Sequence, residues 1–339
     1  MNMKSLAAAM TAAALAAACT EEPPPSPAVE SEPAAEAPEP AAPAEPAGQP
    51  ADSAAGGGDM PDEIVAERGG FIPEGIEYDT SNQRFLVGSL AEGTIFEVAN
   101  DGTLTPVVED PELVSSVGIE VDEERDRLLV ANSDSSVFQG GGPGQAKLGI
   151  YDLMSGEQIA MADLAAALQD APEDASYFAN DVAVGDDGTA YVTDTMMNVI
   201  YEVGEDQQAS VLYRFEDGPG LNGIVFHPDG YLLVVGGAAL YKVPVDDPES
   251  MSEVMLEQPI EGADGMVLTE DGRLVVVSNS TSSVGALTSD DDWASAQAAG
   301  TAMFEGQATT AAIVGDDIYV VKPHFNDQEP PSIERVTIQ

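Results

Sequence analysis

The sequence predicts an all-β fold, a six-bladed β-propeller with a central divalent-metal site, from a repeat, its apolar strands and its turns. Three similar segments place Asn180, Asn222 and Asp264 at a constant spacing of 42 residues. A period of about 40–45 residues is typical of propeller blades. Alignment on the turns extends the repeat to six strand starts: Ile76, Ile119, Val182, Ile224, Met266 and Ala311.

Within each blade, apolar strands alternate with short turns, as a succession of hairpins requires. The fourth blade shows this most clearly, with apolar strands at residues 224–226, 231–235 and 239–243. The third and fifth blades repeat the pattern around Asp-Gly turns at residues 187–188 and 271–272. Segments 64–66 and 333–338 also have strand patterns, so we expect them to complete the sixth blade together.

The second blade contains an insertion, because 63 residues separate Val117 from Asn180. The excess includes a glycine-rich segment at residues 140–144 and a predicted helix near residues 162–168. Long loops in compact folds tend to be functional or mobile. We expect this insertion either to cover one mouth of the channel or to cover an exposed strand edge.

The N-terminus has the pattern of an export signal. In residues 1–18, Lys4 precedes an alanine-rich apolar stretch, and the sole cysteine, Cys19, follows three small residues. This arrangement is typical of a bacterial lipoprotein signal peptide and is too short for a stable membrane span. We expect lipid attachment at Cys19 on the outer membrane or the periplasmic face of the cell envelope. Cleavage without lipidation would instead give a secreted protein.

Residues 19–62 are rich in proline, alanine and glutamate, and this composition predicts a disordered linker before the propeller domain at residues 63–339. The whole chain has 61 acidic and 11 basic residues, for a net charge of −50. Such a charge excludes nucleic acid as a partner, since no basic patch is available to bind phosphates. We expect a monomer that contacts the membrane through its lipid anchor only.

Six residues occupy the same repeat position, just before the first strand of each blade: Glu74, Val117, Asn180, Asn222, Asp264 and Thr309. Because the innermost strands of a propeller surround a central channel, we expect these residues to converge on one mouth. Four of them supply two carboxylates and two amides, a set that suits one hard divalent cation. Calcium fits best, with magnesium or manganese possible. Zinc is less natural, because the chain has only two histidines and one cysteine.

The motifs around these residues resemble the senescence marker protein, gluconolactonase and regucalcin-like family of six-bladed propellers. The resemblance covers residues 71–339 and rests on four motifs in this order: Pro73-Glu74-Gly75, Asn180-Asp181, Leu221-Asn222-Gly223 and Asp264-Gly265-Met266. It implies that Glu74, Asn222 and Asp264 bind one divalent cation. It also implies that Asn180 lies beside them and contacts the substrate, the cation or a water bound to it.

The same resemblance implies a lactonase-like hydrolysis of carboxylic esters. In such a reaction the cation polarises the lactone carbonyl, and an aspartate at its edge takes a proton from the attacking water. Asp264 is the expected base, with a role as ligand alone as the alternative. Asp181 is expected to brace the turn. Glu77 and Glu120 are expected to be solvated at the channel rim, with added negative charge inside the channel as the alternative.

Phe178 departs from the family pattern, because sugar-lactone members often carry an arginine at this position. A polar sugar loses a partner there, whereas an apolar lactone or ester gains a surface for binding. The sequence therefore predicts a metal-dependent hydrolase of lactones or related esters, with a small-molecule substrate that contacts Asn180 and Phe178. The alternative is a non-enzymatic propeller that binds a ligand or partner and whose cation is structural, since Val117 and Thr309 occupy the remaining positions.

Overall fold

The computed structural model describes residues 60–216, 218–325 and 329–339. Within these ranges the chain forms twenty-five β-strands and five short 3-10 helices. The signal peptide, Cys19 and the linker up to residue 59 lie outside the described residues. No helix among the described residues is long and apolar enough to cross a membrane.

After β1 (Glu63–Val65), the strands pair as antiparallel sets of four in chain order. The first set consists of β2 (Ile76–Asp79), β3 (Arg84–Val87), β4 (Ile95–Val98) and β5 (Leu104–Val108). The second set consists of β6 (Ser115–Asp122), β7 (Arg127–Ser133), β8 (Gly144–Asp152) and β9 (Gln158–Asp163). The first set starts at Ile76, as the sequence repeat predicts, whereas the second starts at Ser115, four residues before the predicted start at Ile119.

The third and fourth sets follow the same order. The third consists of β10 (Tyr177–Val184), β11 (Ala190–Asp194), β12 (Val199–Val203) and β13 (Ala209–Arg214). The fourth consists of β14 (Leu221–His227), β15 (Tyr231–Gly236), β16 (Ala239–Pro244) and β17 (Ser252–Glu253). A short parallel pairing of Tyr177 and Phe178 with Gly144 and Gln145 joins the second and third sets into one eight-stranded sheet.

The fifth and sixth sets complete the chain. The fifth consists of β19 (Ala263–Leu268), β20 (Leu274–Ser278), β21 (Ser283–Thr288) and β22 (Ser295–Met303), with β18 (Met255–Leu256) parallel to β22. The sixth consists of β23 (Ala311–Val314), β24 (Asp317–Lys322), β25 (Ser332–Val336) and β1. Ile64 of β1 pairs with Ile333 of β25, which confirms the prediction that the two ends of the domain share one sheet.

The first strands of the sets lie side by side around a central channel. Among the described residues, each first strand contacts the next in the order β2, β6, β10, β14, β19 and β23, and β23 contacts β2. Apolar side chains pack between neighbouring sets, as where the rings of Phe85 in β3 and Tyr319 in β24 lie 5.2 Å apart. The result is an all-β, propeller-like arrangement of blades, in which residues at one end of the first strands meet at one mouth.

The connections contain the 3-10 helices, at Glu123–Arg125, Ser135–Gln139, Ala165–Ala167, Pro248–Ser250 and Asn279–Thr281. The prediction of a helix near residues 162–168 was wrong, because the structure has only a three-residue 3-10 helix there, at Ala165–Ala167. The segment begins inside β9, which extends to Asp163, and Leu164 and Leu168 are buried against the apolar cluster of the second and third sets. Apolar spacing over so short a stretch does not distinguish a helix from a buried turn.

Candidate functional site

Three of the candidate residues lie on irregularities of the innermost strands. The pairing register shifts across the segments of β10, β14 and β19 that contain Asn180, Asn222 and Asp264. The prediction that these residues precede their strands was wrong, because each strand begins earlier and continues past the irregularity. A bulge of this kind changes the direction of a side chain and often lies beside a functional site.

Glycines next to the candidate ligands allow neighbouring first strands to approach closely. A Cβ atom on Gly75 would lie 2.4 Å from the carbonyl oxygen of Val117, and one on Gly223 would lie 2.4 Å from the carbonyl oxygen of Asp264. Real Cβ atoms do not tolerate such contacts with main-chain atoms. The Glu74-Gly75 and Asn222-Gly223 motifs are therefore required by strand packing as well as by any chemistry at the site.

Hydroxyl groups of neighbouring sets fix the main chain at two candidate ligands. The Thr309 hydroxyl donates a hydrogen bond of 2.7 Å to the carbonyl oxygen of Glu74. The Thr193 hydroxyl donates a hydrogen bond of the same length to the carbonyl oxygen of Asn222. Thr309 shares the repeat position of the candidate ligands, but the structure shows it in this supporting contact.

Asp181 supports the site rather than facing it as a free acid. Its carboxylate accepts hydrogen bonds of 3.0 Å from the backbone N–H groups of Val182 and Ile224. The second of these joins β10 to β14. These hydrogen bonds are the bracing contact that the sequence predicts for Asp181. The equivalent position in the neighbouring first strands is occupied by glycine.

The candidate residues lie between two cavities. The mouth pocket has a volume of about 570 Å³ and is lined by Glu74, Phe138, Phe178, Asn180, Asp264, Phe325 and neighbouring residues. The channel cavity, of about 250 Å³, is lined by Glu74, Glu77, Glu120, Asn180, Asp181, Asn222 and neighbouring residues. Glu74 and Asn180 line both cavities, Asp264 lines only the mouth pocket and Asn222 only the channel cavity, so the candidate ligands lie around the boundary between the two.

The two acids at this boundary are costly to ionise together. Burial raises the pKa of Glu74 well above its ordinary value, and the charge of Asp264 raises it further. Burial also raises the pKa of Asp264, to about 7, although hydrogen bonds from Asn222 and Asn279 act in the opposite direction. Among the described residues that line either cavity, none is lysine, arginine or histidine. No basic side chain there compensates the two carboxylates.

The donor set at the boundary fits a divalent cation. Two carboxylates and two amide oxygens match the oxygen ligands that calcium and magnesium prefer. The amide nitrogen of Asn180 donates a 2.9 Å hydrogen bond to the Thr195 hydroxyl, so the amide oxygen is the atom left to act as ligand. No group of three or more histidine, cysteine, aspartate or glutamate side chains in the described ranges is placed to hold a metal ion. A cation here would therefore depend on the asparagines.

Two further acids line the channel cavity below this boundary. Burial raises the pKa of Glu77 to about 8, and the charge of Asp181 contributes. Burial likewise raises the pKa of Glu120 well above its ordinary value, with a smaller contribution from Glu77. The expectation that Glu77 and Glu120 are solvated at the rim was wrong, because their position one step inside the strands turns them into the channel.

Sequence reasoning missed residues in the connections after the second strands. Asn279 follows β20 and donates a 2.9 Å hydrogen bond to the carbonyl oxygen of Ala308, while its own amide oxygen accepts one from Gln307. It lines the mouth pocket and contacts Asp264. Thr195 occupies the corresponding place after β11. A polar residue directly after the second strand of a blade is the signal that could have found both.

The insertion of the second blade lies at the mouth. Its 3-10 helix, Ser135–Gln139, contributes Ser135, Phe138 and Gln139 to the lining of the mouth pocket. This position agrees with the first of the two roles expected for the insertion, covering one mouth of the channel.

The fold and this site define a propeller-like protein whose candidate binding site lies at one mouth of its channel. The chain belongs to the family described as the SMP-30/gluconolactonase/LRE-like region, whose model matches residues 72–315. This match confirms the resemblance seen in the four motifs. No curated protein matches the chain.

Solved structures show the same fold at low sequence identity. The major allergen Mala s 1 of Malassezia sympodialis is 19% identical, with a TM-score of 0.69 over 82% of this chain and 96% of the allergen. A putative gluconolactonase is 16% identical, with a TM-score of 0.57 over 82% of this chain and 93% of its own. Virginiamycin B lyase from Staphylococcus aureus is 12% identical, with a TM-score of 0.55 over 82% of this chain and 98% of the lyase chain. Proteins of different activities thus share this fold.

Proposed function

We propose that this protein is a metal-dependent hydrolase of lactones or related carboxylic esters, built on a six-bladed propeller. The observation that carries the proposal is the pair of half-buried acids, Glu74 and Asp264, which line the mouth pocket beside Asn180 and Asn279 and, among the described residues, without a compensating basic side chain. Membership of a family named for gluconolactonase supports the reaction class. The ring of first strands supports the blade count.

The proposed cofactor is one divalent cation held by Glu74, Asn180, Asn222 and Asp264. Calcium suits this all-oxygen set best, with magnesium, manganese or zinc as alternatives. When bound, the cation supplies a Lewis acid that polarises the lactone carbonyl.

The side chains of the site supply positioning and proton transfer. Asp264 is the proposed general base, because its carboxyl lines the mouth pocket beside the other candidate ligands, where it can take a proton from a water that attacks the substrate. Hydrogen bonds from Asn222 and Asn279 hold its carboxylate in place. Asn180, oriented by Thr195, is the proposed contact for the substrate or for a water bound to the cation. Apolar side chains of the mouth pocket exclude water from the remainder of the substrate.

We also propose that the protein works as a monomer tethered to the bacterial envelope through a lipid on Cys19, with secretion as the alternative if this residue is not lipidated. The motif of residues 1–19 and the proline-rich composition of residues 19–62 support the tether. Labelling with a radioactive or alkyne-tagged fatty acid tests it, because Cys19→Ala should abolish incorporation.

The reaction is tested with a panel of aliphatic and sugar-derived lactones, assayed after chelation and again after each metal is restored. We expect turnover that depends on the restored metal.

A second candidate function is a non-enzymatic binding propeller with a structural cation. It is favoured by the close packing of strands around the candidate ligands. It predicts that metal raises the melting temperature while no lactone is hydrolysed under any condition.

A further inference from the structure

We propose that the mouth pocket selects lactones or esters with an apolar substituent, and that Phe138 of the second-blade insertion determines this specificity. The proposal rests on the proposed hydrolase function and names its substrate class. It concerns the wall of the mouth pocket rather than the candidate ligands at its floor.

The position of Phe138 is the first observation. Its ring lies 4.7 Å from the ring of Phe178, at an interplanar angle of 64°, in an edge-to-face contact. Phe178 is only 4% exposed, whereas Phe138 is 59% exposed. Phe138 is the only aromatic residue among the exposed large hydrophobic side chains of the described ranges, and it lies on the lining of a pocket.

The loop that carries Phe138 is held in place. The N–H of Ser136 donates a 2.9 Å hydrogen bond to the carboxylate of Asp134, and the N–H of Gly141 donates one of 2.9 Å to the carbonyl oxygen of Ser136. The 3-10 helix between these contacts presents Phe138 beside Phe178. The aromatic pair is therefore a built part of the pocket wall.

Most of the remaining wall is also apolar. Beside the two phenylalanines, the mouth pocket is lined by Ile72, Leu90, Val117 and Phe325, with Ser135 and Gln139 of the same loop as polar exceptions. Its floor carries Glu74 and Asp264. A pocket with apolar walls and a few polar groups at one end suits a ligand with one reactive polar group and an apolar body.

The lining of the pocket disfavours the competing substrates. Among the described residues it contains no lysine, arginine or histidine, so an anionic substituent would find no basic partner. Most hydroxyl groups of a sugar would lose their water against the apolar part of the wall, because few polar side chains, such as Ser135 and Gln139, line it. A volume of about 570 Å³ holds a lactone ring with an alkyl or aryl substituent.

The test uses a series of γ-lactones with alkyl substituents from methyl to octyl, together with a sugar lactone, and the variants Phe138→Ala and Phe138→Leu. For the unaltered protein we expect kcat/KM to rise with chain length, by about fourfold for each methylene that is fully buried. Phe138→Ala should flatten this dependence mainly through KM, and Phe138→Leu should restore most of it. Met154→Ala is the matched control, because Met154 is also an exposed apolar residue, 64% exposed, and does not line the pocket.

A binding measurement separates this proposal from the hydrolase proposal. The corresponding alkyl γ-lactams keep the ring and the chain but resist hydrolysis, and their affinity is measured by calorimetry with and without calcium. Affinity that rises with chain length and falls in Phe138→Ala supports the pocket proposal even if no lactone is hydrolysed, in which case the hydrolase proposal alone fails. Hydrolysis without any dependence on chain length overturns the pocket proposal alone. Preference for the sugar lactone, or an equal effect of Phe138→Ala on every ligand, also overturns it.

Discussion

The hydroxyl of Thr309 donates a 2.7 Å hydrogen bond to the carbonyl oxygen of Glu74, joining residues 235 positions apart in the chain. This contact links the last set of strands to the first at the candidate ligand itself. Together with the pairing of β1 with β25, it means that closure of the domain and formation of the site depend on the same contacts.

We expect Thr309→Val to destabilise the domain by about 1–3 kcal/mol, since it leaves a buried carbonyl oxygen without its donor. It should also weaken calcium binding, because the main chain at Glu74 loses its support. Denaturant unfolding and calorimetric titration with calcium measure the two effects. Thr309→Ser retains the hydroxyl and is expected to retain most of both properties. Equal behaviour of the valine and serine variants would show that the hydrogen bond is unimportant.

Gly223→Ala should destabilise the domain by about 1–3 kcal/mol, because its Cβ atom would overlap the carbonyl oxygen of Asp264. Gly285→Ala is the control, since no atom lies within 4 Å of a Cβ at that position. The melting temperatures of both variants, measured by thermal unfolding, test this expectation. The close approach of the two first strands is refuted if Gly223→Ala melts at the temperature of the control.

The pH dependence of stability should report the acids of the channel cavity. Burial raises the pKa of Glu77 from 4.5 in its ordinary state to about 8. Between these values the unfolded chain has released a proton that the folded protein retains, so the free energy of unfolding falls as the pH rises through this window. Other buried acids of the channel act in the same direction.

Glu77→Gln removes one such group, so the variant should lose less stability between pH 5 and pH 8 than the unaltered protein. Urea unfolding in the presence of a chelator measures this difference. Glu257→Gln changes an exposed glutamate and should leave the pH dependence unaltered. A steeper loss of stability in Glu77→Gln would contradict the burial of Glu77 in the channel.

The sequence predicts the first two strands of the blades well, because these strands are buried and carry long apolar runs. Leu232 and Val234 in β15 are fully buried, and the apolar pattern around them predicts the strand almost to its ends. Apart from β1, the outermost strands were not predicted. β22 contains mostly alanine, glycine and polar residues and is largely exposed, so its pairing with β21 rather than its own composition makes it a strand.

The candidate ligands could be predicted because they recur with the repeat, whereas other site residues could not. Phe138 lies in a connection whose length and sequence differ from blade to blade, so nothing in the period of the repeat places it at the mouth. Asn279 shares its repeat position with Thr195, but a single polar residue after a strand is also a common turn residue. The bulges were also missed, since they interrupt the alternation on which strand prediction depends.

Asp264 and a bound divalent cation are proposed to act together in lactone hydrolysis, and a comparison of three proteins tests this mechanism. Hydrolysis of the lactone panel is measured for the unaltered protein, Asp264→Asn and Asp290→Asn, an exposed control, after chelation and after calcium is restored. We expect calcium-dependent turnover in the unaltered and control proteins and a loss of about 10²-fold or more in Asp264→Asn. Turnover that survives both chelation and Asp264→Asn would contradict the mechanism.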